Sequence, residues 1–464
     1  MSSPYFDSIS SEAAWRREFS SKKYSDTTFS KALGNTSASE WGRGQLVRLH
    51  VVIRTATDEK LLPLIVKDKP AKTITKAISE AAIETSDDTF WSRYPESRKA
   101  LRTLLKGRGQ GGVSERELWS EQEYMRHYGS CEYGRLWAAL DRLEDACHIS
   151  QQCTEVPGPH YQDDDEQREK NPAPTTPPSP HPRSSKRARR SVRPFAGVVP
   201  FDQNTPITDS SSSPQSAPPN DVLSSSPHSA AYVPATEAVC SSERTEDLTV
   251  DFIVTALRII LLHVPPQQQL DSAPRDRNDG FPPTVDLDVQ KLQLRVTISN
   301  LIQFGSIDDG GLWIRSLSKK TRARVAVLEA KRFIGHVDDG CPVLSDPWLA
   351  QIVGEALAVR LAPDTWMGPR ETIIVIAAAR YFVRFFQLRV TDSYLEDLSK
   401  CVATEAAKPK TEPPPAALEA DETPRESIQV SCTRWFDFRE STERVHVVRN
   451  LSGIVKLAQD EAQG

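Results

Sequence analysis

The sequence predicts a mixed α/β protein, with a sheet flanked by helices in the C-terminal half, a small N-terminal α+β module, and a long disordered linker between them. Three observations predict it. Only 38% of the 464 residues are hydrophobic and the mean hydropathy is −0.48, so part of the length is not packed interior. About half of the 34 prolines fall between Val156 and Pro234. After that stretch, helix-spaced runs alternate with β-branched ones, as they do where helices cover a sheet.

The N-terminal module spans residues 12–150. In it, QLVRLHVVIRTATDEKLLPLIVKD reads as two β-branched strands around a turn, TITKAISEAAIE has helical spacing, and ERELWSEQEYMRHYGSCEYGRLWAALDRLEDACHI is amphipathic over several turns. Five of the nine tryptophans, Trp15, Trp41, Trp91, Trp119 and Trp137, lie here and are expected to anchor its core. The linker, residues 154–240, is Pro/Ser-rich and charged. It cannot bury enough apolar surface to offset the entropy of ordering it.

The C-terminal domain is expected over residues 241–460. TEDLTVDFIVTALRIILLHV spaces its apolar residues by three and four and predicts a helix. DVQKLQLRVTISNLIQF, GGLWIRSLS and RVAVLEAKRFI predict three strands. DPWLAQIVGEALAVRLA predicts a helix with Asp346 as N-cap and Pro347 in its first turn. TIIVIAAARYFVRFFQLRV predicts one or two strands. After a flexible insertion at residues 406–427, IQVSCTRWFDFR and VHVVRNLSGIVKLAQDE predict a last strand and helix.

Several function classes are excluded. Residues 241–464 hold 27 basic and 32 acidic residues, which accounts for the net charge of −5, so any affinity for nucleic acid rests on local patches. Seven cysteines at scattered spacings, with no CxxC pair, argue against a disulfide framework or a structural zinc site. No glycine-rich phosphate loop opens a helix, since GRGQGG (residues 107–112) has no strand before it. No HxxxH pair is present, and no apolar run is long enough for a membrane span.

The chemistry-bearing fragment is IDDGGLWIRSLSKKTRARVAVLEAKRF. Glu329 and Lys331 are two apart on a strand and leave the same face of the sheet. Asp309 enters the neighbouring strand, and Asp309 with Glu329 would hold one hard divalent cation through oxygen, with Lys331 beside it. That trio suits phosphodiester hydrolysis, in which a metal activates water and a cation offsets charge developing at phosphate. Gln351 and Glu355, four apart, share a face of the next helix, and Gly354 between them is expected to permit close approach to the sheet.

The succession DDGG, VAVLEAKR, DPWLAQIVGEALA, CTRWFDFR and VVRNLSGIVKLA resembles the PD-(D/E)XK nuclease-like domain found in many fungal proteins, over about residues 243–460. The resemblance implies a restriction-endonuclease-like fold and Mg²⁺-dependent, or Mn²⁺-dependent, hydrolysis of DNA or RNA. It also implies catalytic roles for Asp309, Glu329, Lys331 and Gln351, with Asp309 and Glu329 as metal ligands. An acid on the first helix, Glu246 or Asp251, would complete the metal site. The family's proline before the metal aspartate is absent from SIDDGG, so Asp308 stands as an alternative to Asp309. A non-catalytic module that keeps the fold and binds nucleic acid or protein is the competing expectation.

Two basic runs remain. KRARRSVR, residues 186–193, reads as a nuclear-import signal, so an intracellular, nuclear protein is expected. SKKTRAR, residues 318–324, reads as a basic turn able to track a phosphate backbone. The expected partners are therefore DNA or RNA and not a membrane, with a homodimer left open.

Overall fold

The computed structural model describes residues 3–21, 24, 28–54, 58–82, 95–108, 119–154, 237–264, 283–316, 321–331, 337–338, 340–362, 366, 371–408 and 423–463. Residues 155–236 of the expected linker, with KRARRSVR, lie outside them, as do 409–422 of the insertion, 318–320 of the basic turn, and Trp91. The expected linker is trimmed at both ends by helix, because Cys131–Thr154 and Glu237–His263 are helical.

The strands in chain order are β1 (Thr36–Ser37), β2 (Val51–Ile53), β3 (Thr284–Asp288), β4 (Gln293–Ile298), β5 (Ile302–Ile307), β6 (Gly311–Ser316), β7 (Thr321–Lys331), β8 (Val337–Asp338), β9 (Cys341–Pro342), β10 (Thr372–Ala379), β11 (Phe382–Arg389), β12 (Ile428–Cys432) and β13 (Phe436–Asp437). A mixed sheet runs β2-β12-β11-β10-β7-β6-β3, with β13 paired to β11. Its centre is the parallel pair β7–β10, in which Glu329 faces Ala377 and Lys331 faces Ala379. Both strands are buried on two faces, which is why their text is a near-continuous apolar run. Ala326, Leu328, Ala330, Ile374 and Ile376 face one core, covered by the helices Glu237–His263 and Ser441–Gln463. Val327, Val375, Ala377 and Ala379 face the other, covered by the helix Asp346–Leu361.

That second helix explains the first correction to the sequence reading. It is buried around its whole circumference from Trp348 to Arg360, and such a helix must be covered on both sides. The sheet covers one side, and N-terminal residues, among them Ala38, Trp41, Leu46 and Val47, cover the other. Residues Met1–Glu155 and Ala235–Gly464 accordingly form one compact unit, not an N-terminal module beside a C-terminal domain. β2 extends the main sheet by pairing in parallel with β12. Gly354 permits close approach to this N-terminal cover and not to the sheet: a Cβ there would lie 2.6 Å from Ala38 Cβ and 2.9 Å from the Trp41 ring.

Local chemistry explains three smaller corrections. The segment LLPLIVK is not a second strand but the short helix Pro63–Lys67, started by proline at its first position. The N-cap of the Asp346–Leu361 helix is Ser345, whose hydroxyl accepts from Trp348 N–H. Asp346 instead accepts from Tyr5 N–H at 2.6 Å and pairs with Arg43 at 3.2 Å, tying the N-terminal residues to that helix. DVQKLQLRVTISNLIQF is a hairpin, β4–β5, turned by Ser299 and Asn300 at φ 53° and 58°. The hairpin joins β1 in a separate small sheet, and the main sheet takes TVDLD as β3.

Trp15, Trp41 and Trp137 are buried anchors, and Trp119 is partly buried. No helix among the described residues is long and apolar enough to cross a membrane.

Candidate functional site

The site forms where β6 and β7 part. β6 begins at Gly311, paired with Val327, and one step on, Leu328 N–H donates to Gly310 O at 2.9 Å. Gly310 stands at φ +123°, where a Cβ would come within 2.4 Å of Asp288 O, so the DDGG turn requires glycine there. The ladder has no further backbone carbonyl for Ala330. The Asp309 side chain takes that place, with Oδ2 accepting Ala330 N–H at 2.9 Å. The other oxygen, Oδ1, lies 2.9 Å from Lys291 Nζ.

Glu329 and Lys331 leave β7 on the Asp346–Leu361 side. Glu329 is 1% exposed, and its Oε1 lies 2.7 Å from Lys331 Nζ. From the covering helix, Gln351 Nε2 donates to Glu329 Oε1 at 2.6 Å and to Glu355 Oε1 at 2.9 Å. Asp309, Glu329, Lys331 and Gln351 are thus gathered from the DDGG turn, β7 and a helix. Glu355, which the i, i+4 spacing placed beside Gln351, joins them as a fully buried second carboxyl. Lys291, from the loop between β3 and β4, gave no sequence signal because only the fold brings it to Asp309.

The two aspartates of DDGG separate cleanly. Asp308 points to the buried Arg324, which contacts it through both Nη atoms. It also accepts Leu292 N–H at 3.2 Å and Gly310 N–H at 2.9 Å. Its hydrogen bonds go into holding the turn, whereas Asp309 contacts the β7 backbone at Ala330, between Glu329 and Lys331. Arg324 and Arg322 belong to β7 and not to a free basic turn, since Arg322 pairs with Asp288 and lies over the Trp313 ring. This removes the arginines of SKKTRAR from the phosphate-tracking role.

Asp251 does not complete the site. It is exposed and pairs with Arg142 at 3.1 Å, on a helix that packs against the opposite face of the sheet. Glu246 lies in the same helix, and its side chain is outside the described residues.

Burial sets the electrostatics. It pushes the Glu329 carboxyl up to about 7, against the pull of Lys331 and with a further push from Asp309. Glu355, wholly enclosed and facing Glu329, is raised well above the usual carboxylate range. Glu355 Oε2 accepts no hydrogen bond, and the Glu355 carboxyl, raised by burial and by the facing Glu329, keeps its proton beside an ionised Glu329.

Both pKa values are higher folded than unfolded, so this pair favours folding most below about pH 4.5 and loses that contribution as pH rises to 7 and beyond. Glu355→Gln keeps the donor and removes the titration. It is expected to gain stability over the wild type as pH increases, by about 1–3 kcal/mol at pH 8. Urea unfolding of both proteins at pH 5, 6.5 and 8 checks this, and a constant difference across the three would refute the proton held by Glu355.

No group of three or more His, Cys, Asp and Glu side chains disposed to hold a metal is found among the described residues, so the metal candidate is a two-carboxylate one. Asp309 and Glu329 supply hard oxygen donors suited to Mg²⁺ with waters completing its shell. Comparison with protein-family models, with curated proteins and with solved structures finds no match to this chain.

Proposed function

We propose that the chain is a metal-dependent nuclease with a PD-(D/E)XK-like, restriction-endonuclease-like core, hydrolysing phosphodiester bonds in DNA or RNA with Mg²⁺ or Mn²⁺. The observation that carries this reading is the convergence of Asp309, Glu329 and Lys331 at one sheet end, with Gln351 closing over Glu329. A bound divalent cation would polarise the scissile phosphate and supply a water of lowered pKa. Asp309 and Glu329 would hold it. Lys331, about one-third exposed and already directed to Glu329, offsets the negative charge that builds on the phosphate oxygens. Gln351 fixes the orientation of Glu329 through its amide.

The burial of Glu329 favours a second reading, a binding module in which the acids and lysines are structural partners. Cleavage of single- and double-stranded DNA and RNA by the full chain decides between them. Under the nuclease reading, cleavage depends on Mg²⁺ or Mn²⁺. Asp309→Asn, Glu329→Gln and Lys331→Met then each lower it by at least about a hundredfold, with circular dichroism unchanged. An inactive wild type whose melting temperature neither metal raises would establish the binding module instead.

A further inference from the structure

We propose that Lys291 is a tethered competitor for the divalent cation, occupying on Asp309 the oxygen that the cation would take. This rests on the metal-site reading above. Asp309 divides its two oxygens: Oδ2 is committed to the backbone of Ala330, and Oδ1 meets the Lys291 ammonium at 2.9 Å. Only Oδ1 is open to exchange, because losing the Oδ2 contact would leave a buried N–H without an acceptor.

The competing charge is built to leave. The Lys291 side chain is 64% exposed, so water replaces Asp309 around a released ammonium at little cost. Its loop does not depend on the ion pair for its position. Leu292 N–H donates to Asp308 Oδ1, Asp308 N–H returns a bond to Leu292 O at 3.4 Å, and Gln290 N–H donates to Asp288 at 2.9 Å. The backbone beside Lys291 is therefore strapped to the DDGG turn, and only a flexible side chain moves. On the far side of the site Lys331 answers Glu329 in the same way, so each metal-ligand candidate carries one lysine. The two differ in attachment: Lys331 comes from the sheet itself, Lys291 from a loop.

Such a lysine sets the threshold of metal concentration at which the site loads. Removing it takes away both a counter-ion that must be displaced and a positive charge near the arriving cation. Lys291→Met is expected to bind Mn²⁺ about fivefold more tightly than the wild type, and Lys291→Arg to stay within about twofold of it.

The experiment titrates Mn²⁺ into the full chain and reads free Mn²⁺ by electron paramagnetic resonance, for the wild type, both Lys291 variants and Asp309→Asn. Because Lys291 is exposed and its loop is held by other contacts, the variants are expected to unfold at the wild-type urea concentration. Tighter binding in Lys291→Met, or binding in it where the wild type shows none, supports the proposal. Equal or weaker binding in Lys291→Met overturns it while leaving the metal site standing. Absence of binding in every protein overturns the metal reading and the competitor with it.

Discussion

Residues 235–464 produced without residues 1–155 are expected to give no cooperatively folded protein. The Asp346–Leu361 helix would lose Ala38, Trp41, Leu46 and Val47 from its outer side. The opposite core would lose Leu101, Leu104, Leu136, Trp137, Leu140 and Leu143, all buried in the intact chain. Fully burying one such side chain contributes roughly 1.5–3 kcal/mol, so the loss summed over these residues is larger than the roughly 5–15 kcal/mol of net stability a domain has. β12 would also lose β2 and present an unpaired edge. Buried polar links would go with them, including Leu62 N–H to Asn450 Oδ1 and Arg444 to Leu105 O, each at 3.0 Å. The near-ultraviolet circular dichroism spectrum of the fragment should be featureless, and coexpression with residues 1–155 should restore it. A sigmoidal urea transition from the fragment alone would show that the N-terminal residues are an accessory layer.

This dependence was hidden in the sequence for a physical reason. A helix this largely apolar announces that it is buried, and nothing in its text says by what. DPWLAQIVGEALAVRLA therefore read correctly as a helix while its outer cover, about 300 residues upstream, was assigned to a separate module. Strand text was legible where alternation or β-branching is local, as in VAVLEAK and TIIVIAAA. It failed at TVDLD, whose outward Asp286 disguises an edge strand, and at LLPLIVK, where proline decided for helix.

The candidate site divides along the same line. Glu329 and Lys331 share a face by the two-residue period of a strand, and Gln351 with Glu355 by the helical turn, so both pairs were readable. Their meeting across the core was expected only through the family resemblance, which grouped Gln351 with Asp309, Glu329 and Lys331 and left Glu355 out. The choice between Asp308 and Asp309 depended on Arg324, a residue on another strand, and the arrival of Lys291 depended on the path of a loop.

The role assigned to Asp308 makes the second large prediction: Arg324→Met is expected to destabilise the protein by about 3–5 kcal/mol. Arg324 is completely buried, and its guanidinium lies 5.0 Å over the Trp313 ring while gripping Asp308. Methionine fills most of the space but leaves a nearly buried carboxylate without its counter-ion. Two backbone N–H groups remain on Asp308 and do not replace a full positive charge. In an Asp308→Asn background the same replacement strands no charge, so it should cost at least about 1.5 kcal/mol less, and urea unfolding of the four proteins closes that cycle. An Arg324→Met variant within about 1 kcal/mol of the wild type would mean that the pair adds nothing beyond packing. The same variants separate the two aspartates by function. Asp308→Asn keeps the acceptor oxygen that holds Leu292 and Gly310, so it should bind Mn²⁺ as long as it folds, whereas Asp309→Asn should fold and lose the ion. One aspartate would then hold the turn in place, and its neighbour, aimed by that turn, would face the chemistry.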